Sequence, residues 1–395
     1  MSNTETTPSS GVNINAGVSS NTNAPVNSQK QLDVGSTLIK NLLTKIKQKK
    51  YINPIAYVDD PLCDGHKLTT KDHQESPDRT KIIRTAIQKY GIDKMLIRSG
   101  SITIRLSDLH EAHDKDYIEL LTHCGRINKP IEVPKPSTEV SMTDIGSFHA
   151  VLGAASSVMG GVDTVCGDFR AESKDYRYVS KRIRKVFCNV RPPGHHAHHD
   201  HGAGFCFVNN VAVGVKFAMN KYPSFIKKVL IFDWDLHHGD GTEDIFKDNP
   251  NIMYVSFHRG GNRDGTDTDD ENAFYPFTGT THINKHGNVI NFPIGKNESV
   301  ESYMKKFREE FLPRAYAFKP DLVMLSAGFD SHKDDLYHAL PLDYSHFREM
   351  TIELMKLADK CSSGRLVSCL EGGYTLNVLY KCVAVHVLTM IDGYD

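Results

Sequence analysis

Short apolar runs alternate with helix-like segments along the second half of the chain, and this alternation constrains the fold more than any other feature. The runs are rich in β-branched and aromatic residues, and they are VFCNV (186–190), VLIFDWD (229–235), IMYVSF (252–257), VINFPI (289–294), DLVMLSAGF (321–329) and RLVSCLEGG (365–373). Amphipathic segments such as YSHFREMTIELMKLADKC (344–361) separate most of them. This pattern predicts an α/β fold, in which a mostly parallel sheet carries helices on both faces.

Polar and glycine-rich clusters follow five of these runs, at the point where each strand is expected to end. They are RPPGHH (191–196), WDLHHGDG (234–241), FHRGG (257–261), GFDSHKDD (328–335) and EGGY (371–374). The carboxyl ends of parallel strands meet at one edge of a sheet, where α/β proteins bind their ligands. The sequence therefore predicts one functional site that is built from several strand ends.

The cluster at 234–241 contains groups that bind metal ions. Residues two apart in an extended segment point the same way, so Asp235 and His237 can converge on one ion. Carboxylates and imidazoles with few or no cysteines suit Zn²⁺, Fe²⁺, Mn²⁺ or Co²⁺, and a catalytic zinc takes three protein ligands. Asp330, at the end of DLVMLSAGF, is the natural candidate for the third ligand, although an aspartate there could equally cap a helix.

Two adjacent histidines are candidates for proton transfer beside the metal. His195 and His196 follow two prolines and a glycine, and either ring could serve as general base or general acid. Asp233 and Asp240 are not needed as metal ligands and could orient the two rings. In isolation, Asp240 would be interpreted as a plain turn residue, because it precedes a glycine.

One tyrosine and three further histidines need separate interpretations. Tyr374 follows two glycines, so it could donate its O–H to a carbonyl oxygen that the metal polarises, although a tyrosine there could also simply pack. His198, His199 and His201 continue the run HHAHHDH, and we interpret them as surface histidines.

Composition restricts the classes of partner and the compartment. The formal net charge is −1, so no overall field attracts nucleic acid or an anionic membrane, and no direct binding to either is expected. Eight cysteines without a CxxC pair indicate reduced thiols in an intracellular protein. No apolar stretch reaches the roughly 18 residues of a membrane span. Residues 1–35, rich in Ser, Asn and Thr, predict a disordered tail.

The ordered motifs together resemble the zinc-dependent histone deacetylase family, most closely its class II-like branch and bacterial relatives. They are HQESPDR (73–79), RPPGHHA, GFCFVNNVAVG, DWDLHHGDGTEDIF, SFH, SAGFDSHKDD and LEGGY. The match runs from about residue 55 to residue 392. The resemblance implies an arginase-like three-layer α/β fold with a central, mostly parallel sheet of about eight strands. It also implies that residues 36–395 form a single catalytic domain.

The resemblance also implies roles for individual residues. Asp235, His237 and Asp330 would bind zinc, which Fe²⁺ could replace in the cell. The remaining positions would serve the reaction and a structural potassium ion. His195 and His196 would be the tandem catalytic histidines, with His196 the main base and acid and with Asp233 and Asp240 as their partners. Tyr374 would donate a hydrogen bond to the acetyl carbonyl. The ligands of the monovalent cation would be Asp233, Ser256 and the main chain of Asp235, His237 and Phe257.

The substrate channel is where this sequence departs from the family. The resemblance places Gly204 and Phe205 in the channel wall, Arg79 behind the zinc and the residue that grips the substrate at Glu139. The family's second aromatic wall is replaced by glycines and an insertion, 259–273, which leaves a wider channel unless Phe274 or Tyr275 fills it. The segment LYHALPL (336–342) also differs from relatives, which more often have Pro and Gly there.

The function that the resemblance implies is hydrolysis of N-ε-acetyl-lysine in histone tails or other proteins. A corepressor complex is a candidate partner, and repression of transcription is the implied consequence. The nucleus is favoured over the cytoplasm. An acetylpolyamine amidohydrolase is an alternative, because the acidic stretch DGTDTDDEN (264–272) resembles the acidic mouths of those relatives. A catalytically weak scaffold that binds acetyl-lysine is a third hypothesis, against which the complete set of candidate residues argues. A dimetal ureohydrolase would need more aspartate ligands and would leave His195 and His196 without a role.

Overall fold

The computed structural model describes residues 33–67, 72–127, 145–170, 182–260, 274–280 and 282–394, and the backbone of 131–132 and 141–142. Of the predicted tail, residues 1–35, the last three are described, and Val34 and Gly35 already belong to the first helix. Glu139 and residues 261–273 of the insertion lie outside the described residues.

One parallel sheet forms the centre of the domain, and its order within the described residues is β2–β1–β5–β10–β9–β6–β7–β8. A separate antiparallel pair joins β3 to β4. The strands are β1 (Ile55–Val58), β2 (Leu96–Ser99), β3 (Ile131–Glu132), β4 (Ser141–Met142), β5 (Lys185–Cys188), β6 (Val229–Asp233), β7 (Ile252–Arg259), β8 (Val289–Ile294), β9 (Leu322–Ala327) and β10 (Leu366–Leu370). The predicted parallel sheet and each of the predicted strands are confirmed.

Helices cover both faces of the sheet. They are α1 (Val34–Gln48), α2 (Asp78–Lys89), α3 (Leu106–Leu109), α4 (Lys115–Ile127), α5 (Ile145–Cys166), α6 (Asn210–Lys221), α7 (Asp240–Phe246), α8 (Val300–Lys305), α9 (Leu312–Phe318), α10 (Tyr344–Cys361) and α11 (Leu376–Asp392). A π-helical turn (Lys306–Phe311) joins α8 to α9, and 3₁₀ turns lie at Pro61–Gly65 and Ile92–Met95. Helices α4, α5 and α6 pack on one another over one face, and α1, α2, α10 and α11 do so over the other.

The alternation of side chains along the strands divides the interior into two cores. In β6, Leu230 and Phe232 contact one core, while Val229 and Ile231 contact the other. Successive side chains of a strand point to opposite faces, so a strand that is buried on both faces is apolar at every position. This explains why the apolar runs of the sequence are continuous.

Helix α5 corrects one expectation from the sequence. By length and composition alone it is apolar enough to cross a membrane, although no such stretch was expected. Its most apolar window is 78% buried within the domain, where it packs on α6, β1 and β5. This degree of burial is that of a core helix.

The strand order brings the predicted site together. The strands β5, β10, β9, β6 and β7 are consecutive across the sheet, and they are the ones that the polar clusters follow. Because all of them run parallel, their carboxyl ends lie at the same edge. The fold thus gathers segments that are up to 180 residues apart in the sequence, from Gly194 to Tyr374.

Candidate active site

Asp235, His237 and Asp330 form a buried cluster whose ligating atoms all lie within 4.8 Å of one another. His237 Nδ1 lies 3.2 Å from Asp235 Oδ1 and 3.2 Å from Asp330 Oδ2. Asp235 and Asp330 are at most 1% exposed. The structure therefore brings together the three residues that the sequence predicts as metal ligands, in a two-carboxylate, one-imidazole set that suits zinc or another divalent transition metal.

Backbone amides at the strand ends hold the two carboxylates in place. Asp235 Oδ1 accepts the N–H of His237 (2.9 Å), and Asp235 Oδ2 accepts the N–H of Gly372 (2.8 Å). Asp330 Oδ1 accepts the N–H of Leu236 (3.0 Å), so it does not cap a helix. Because these amides belong to the turns after β6 and β10, the positions of both carboxylates follow from the sheet itself.

Two glycines make room for the cluster. A Cβ atom at Gly328 would lie 1.9 Å from Asp235 Oδ2, and one at Gly372 would lie 2.3 Å from Asp330 Oδ2. Backbone that approaches a ligand set this closely tolerates only glycine. The glycines of SAGFD and LEGGY are therefore part of the cradle.

The electrostatics of the cluster fit a divalent cation. Burial, and then the charge of Asp235, raise the pKa of the Asp330 carboxyl to about 7. Two carboxylates that face each other in a dry site oppose each other's ionisation, and a bound metal removes that cost. The residues present thus fit the metal that the resemblance implies.

The two tandem histidines each contact one aspartate. His195 Nδ1 lies 3.1 Å from Asp233 Oδ2, and His196 Nδ1 lies 2.7 Å from Asp240 Oδ1. Both rings are buried and their centroids are 4.1 Å apart. An ionised carboxylate can only accept, so Nδ1 of each ring is the donor and Nε2 is the remaining nitrogen.

Burial and charge push the pKa values of the two rings apart. Burial alone would lower the pKa of His195, but the carboxylates of Asp235 and Asp233 raise it well above its usual value. Burial and then the charge of His195 lower the pKa of His196 to about 4. One ring is thus charged and the other neutral at neutral pH, which is the separation expected of two groups with different roles in proton transfer.

Tyr374 lies beside the cluster in the turn after β10. Its backbone N–H and that of Thr375 both donate to Asp335 Oδ2, at 2.9 Å each. The guanidinium of Arg79 lies 4.9 Å from the centre of its ring, and Arg79 Nε donates to the carbonyl of Gly373 (2.7 Å). Burial raises the pKa of Tyr374 well above 10, so the phenol keeps its proton and remains a hydrogen-bond donor.

A cavity of about 220 Å³ leads to the cluster. Aromatic rings line it, together with one of the tandem histidines and the histidine of the metal cluster. The lining residues are Gln74, His196, Gly204, Phe205, His237, Phe274, Tyr275, Tyr337 and Tyr374. Phe274 stacks on His237 (centroids 5.3 Å apart), and Tyr275 meets His196 edge-on at 5.2 Å. Phe274 and Tyr275, the two residues that the sequence offers as a second wall, thus both line the cavity.

Two larger cavities, of about 410 and 500 Å³, lie elsewhere, around Asn53 and Asp359. Among the described residues, no histidine lines either of them. Ligand chemistry, and not cavity size, identifies the site.

A model of the histone deacetylase domain matches residues 73–390 of this chain. The chain belongs to the histone deacetylase family. Its β-sheet and helices superimpose on a crystal structure of the HD domain of HDA15 with a TM-score of 0.71 and 27% identity, over 85% of this chain and 88% of that one. This confirms the arginase-like α/β fold.

Curated members of the histone deacetylase family align with long parts of the chain. Type-2 histone deacetylase 2 of Dictyostelium discoideum is 34% identical over 227 residues, which are 53% of this chain and 13% of that protein. Histone deacetylase 5 of Arabidopsis thaliana is 31% identical over 341 residues, which are 85% of this chain and 48% of that protein. The chain therefore spans less than half the length of either relative.

Glu371 is a residue of this deacetylase-family site that sequence reasoning missed. Its Oε2 accepts the N–H groups of Gly194 (2.7 Å) and His195 (3.2 Å), and burial raises its pKa to about 7. Glu371 thus joins the turn after β10 to the turn that carries the histidines. The only signal in the sequence was an acidic residue at the end of an apolar strand.

A buried ion-pair network beneath the site was also missed. Glu75 Oε1 lies 2.7 Å from Nε of Arg191 and 3.3 Å from Nη1 of Arg79, and all three side chains are fully buried. Burial raises the pKa of Glu75, but the two guanidinium groups outweigh it and lower that pKa below its usual value. Arg79 belongs to this network and also contacts the ring of Tyr374. Its place behind the zinc stays a prediction.

The interpretation of HHAHHDH as a surface run is wrong for His198. Its side chain is only 19% exposed, and its Nε2 lies 3.2 Å from Asp240 Oδ2. His199 is half exposed and contacts Asp244, while His201 stacks on His198 with centroids 4.3 Å apart. Nothing in the polar run indicated that the side chain of His198 would turn towards Asp240.

Proposed function

We propose that the chain is a zinc-dependent lysine deacetylase, which hydrolyses N-ε-acetyl-lysine to lysine and acetate. The observation that carries this proposal is that one narrow cavity is lined jointly by His196, His237 and Tyr374, and that His237 belongs to the buried cluster with Asp235 and Asp330. A candidate base, a metal ligand and an oxyanion donor in one cavity are the parts that amide hydrolysis requires.

The metal would be held by Asp235, His237 and Asp330. When bound, it supplies a Lewis acid, which acidifies water and polarises the acyl carbonyl. His196 accepts the proton of the attacking water at Nε2, because Nδ1 donates to Asp240 and the low pKa keeps the ring neutral. The same nitrogen then delivers that proton to the lysine amine as it leaves.

Tyr374 donates its phenolic hydrogen to the carbonyl oxygen as negative charge develops there. The high pKa of Tyr374 makes it a donor throughout the pH range of the reaction. His195 Nδ1 lies 3.1 Å from Asp233 Oδ2, and this contact holds the ring beside His196.

The cavity walls suit the lysine side chain. Phe205, Phe274, Tyr275 and Tyr337 present aromatic rings, and no Lys, Arg, Asp or Glu is among the lining residues of the described chain. An aliphatic chain buries favourably between such rings, and a charged, unacetylated lysine is disfavoured there. This supports selection for acetylated over free lysine.

We also propose the structural potassium ion next to β6. Asp233 and Ser256 are paired in register on β6 and β7, and both are fully buried. A carboxylate and a hydroxyl are oxygen ligands of the kind that a hard cation takes.

We propose acetylated histone tails or other acetylated proteins as the substrates and the nucleus as the favoured compartment. A corepressor complex is the proposed partner, and repression of transcription is the proposed consequence. Neither nucleic acid nor a membrane enters the proposal as a direct partner.

The test is acetate release by zinc-loaded protein from an acetyl-lysine histone-tail peptide and from an acetylated polyamine, side by side. Turnover of the peptide that disappears in Asp330→Ala supports the proposal. Turnover of the polyamine alone would reassign the chain to the acetylpolyamine hydrolases. Zinc-loaded protein that binds the peptide without releasing acetate would overturn the proposal in favour of a binding scaffold.

A further inference from the structure

Asp240 contacts a different histidine with each of its carboxylate oxygens. Oδ1 lies 2.7 Å from Nδ1 of His196, and Oδ2 lies 3.2 Å from Nε2 of His198. Only the first of these histidines lines the cavity. His198 is therefore connected to His196, the base of the proposed reaction, through the carboxylate of Asp240.

The ring of His198 is fixed from several sides. It stacks on His201 with an interplanar angle of 11°, and its Nδ1 lies 3.4 Å from Asp244 Oδ2. Its backbone is held as well, because its N–H donates to His201 O (2.9 Å) and its carbonyl lies 2.8 Å from Nδ1 of the buried His113. A ring that is held at this many points is a firm support for a partner.

The charge of His198 agrees with this geometry. Burial lowers the pKa of His198, but hydrogen bonds to Asp240 and Asp244 outweigh burial and raise it to about 9. The protonated ring has a donor on each nitrogen, so it can serve both carboxylates at neutral pH.

A carboxylate that has one directional partner can turn about its last torsion, which has broad minima. Asp240 begins helix α7, and its Oδ1 also accepts the N–H of Gly241 at 3.1 Å. The contact with His198 fixes the other oxygen and so defines the plane of the group. With the plane fixed, Oδ1 stays directed at Nδ1 of His196.

We propose that His198 is a positioning residue for the reaction, because it holds Asp240 Oδ2 and thereby keeps His196 aligned with Nε2 towards the cavity. The inference rests on the proposed function, in which His196 is the base. It assigns a role to a segment of the chain that the metal cluster, the channel and the histidine pair leave unused.

Two amide variants test which contact of His198 matters. The amide nitrogen of His198→Gln reaches about as far as Nε2 and can still donate to Asp240, whereas that of His198→Asn lies near Nδ1 and can serve only Asp244. We expect kcat to fall about tenfold in His198→Ala and His198→Asn, with KM within about twofold of wild type, since loss of a partner behind a functional ring costs at least this much. His198→Gln should keep at least half of the wild-type kcat.

The matched control is His199→Gln. His199 belongs to the same run but contacts Asp244 and is 49% exposed, so its variant should match wild type. Zinc content should be equal in all variants. Because loss of the ion pairs with Asp240 and Asp244 lowers stability, kcat is compared well below the Tm of each variant. Equal kcat in the Gln and Asn variants, or a change in KM alone, would overturn the role of His198.

A second measurement does not depend on turnover. The low-field proton resonance of His196 Nδ1–H reports its hydrogen bond to Asp240, and it should persist in His198→Gln and broaden or shift in His198→Asn. An unchanged resonance in every variant would overturn the inference. If the wild-type protein hydrolyses no acetylated substrate but the resonance changes in the variants as expected, the proposed function is contradicted and the contact between His198 and Asp240 stands.

Discussion

The floor of the site and its rim are built in different ways. The floor is the metal cluster Asp235, His237 and Asp330, whose carboxylates accept hydrogen bonds from backbone amides at adjacent strand ends. The rim is formed by the segments 274–277 and 336–337. Phe274, Tyr275 and Tyr337 of these segments line the cavity, and Phe277 and Leu336 are their neighbours in the sequence. Phe277 is 58% exposed and Leu336 is 52% exposed, whereas no floor residue exceeds 7%.

The difference follows from what supports each region. Strand ends in a parallel sheet are fixed by pairing on both sides, so a side chain one or two residues beyond the strand has little freedom. The rim segments belong to connections outside the sheet, and a hydrogen bond of 2.6 Å, from Gln74 Nε2 to Tyr337 OH, is one of the contacts that tie Tyr337 to another segment. The floor should therefore determine whether the reaction occurs, and the rim should determine on which substrate.

The largest effect is expected from a change in the floor. Asp330→Asn keeps the shape of the side chain and an acceptor for Leu236 N–H, but it removes a charge from the metal site. We expect zinc content to fall well below one ion per chain, and kcat/KM to fall on the order of a thousandfold or more. Metal analysis and acetate release would measure both.

The matched control for Asp330→Asn is Asp334→Asn, because Asp334 is on the same turn and 61% exposed. It should retain both zinc and activity. Full activity of Asp330→Asn would refute the assignment of the metal ligands, and with it the contrast between floor and rim.

The next effect separates chemistry from metal binding within the floor. In the proposed mechanism, Tyr374→Phe removes one hydroxyl that donates to the developing oxyanion, and it leaves Asp235, His237 and Asp330 intact. Loss of one such donor costs about 10²–10³ in kcat, so kcat should fall by about that factor while KM and zinc content remain unchanged. A variant whose loss lies mainly in KM would show that Tyr374 binds substrate and does not stabilise the transition state.

The support beneath the floor should appear in stability. Glu75→Gln leaves the buried guanidinium groups of Arg191 and Arg79 without their carboxylate, and breaking such a pair costs about 3–5 kcal/mol of the free energy of unfolding. Because the folded-state pKa of Glu75 is lowered, this stabilisation is complete above about pH 4.3, the pKa of an unfolded glutamate, and is lost as the pH falls through the folded-state value. Urea unfolding of the zinc-loaded protein would measure the change.

Asp78→Asn provides the comparison on the same helix. Asp78 is 67% exposed and lies 3.7 Å from Lys81, so its variant should have the wild-type unfolding midpoint. If both variants unfold at the same urea concentration, the network beneath Tyr374 does not stabilise the domain.

The contrast between floor and rim also explains how much could be predicted from the sequence. Helix α10 was predicted to its end residues, because its apolar spacing is regular and Asp343 caps it. The metal ligands were predicted because each follows an apolar strand at a short, fixed distance. The strands β1 and β2 were missed, since both are four residues long and lie in a part of the chain without regular alternation.

The residues of the site that were missed have partners far away in the sequence. Glu371 accepts from Gly194, which is 177 positions away, and Glu75 meets Arg191 across 116 positions. No local pattern encodes such a contact; it appears only once the strand order is known. His198 is a milder case, in which the direction of a turn decides between the surface and Asp240.

The smallest effect is expected at the rim, and there it should change selectivity. The ring of Tyr337 lies 5.1 Å from that of His237 and 5.8 Å from that of Tyr374, so it borders the space beside the reacting carbonyl. Tyr337→Ala opens that space, and one or two additional methylene groups in an apolar pocket are worth about 10–200-fold in discrimination. We expect the ratio of kcat/KM for butyryl-lysine over acetyl-lysine to rise about tenfold, while zinc content stays constant. Tyr337→Phe removes the hydroxyl that accepts from Gln74 but keeps the ring, and it should leave the ratio unchanged. A ratio that moves equally in both variants would show that the hydroxyl of Tyr337, and not the volume of its ring, sets the width of the channel.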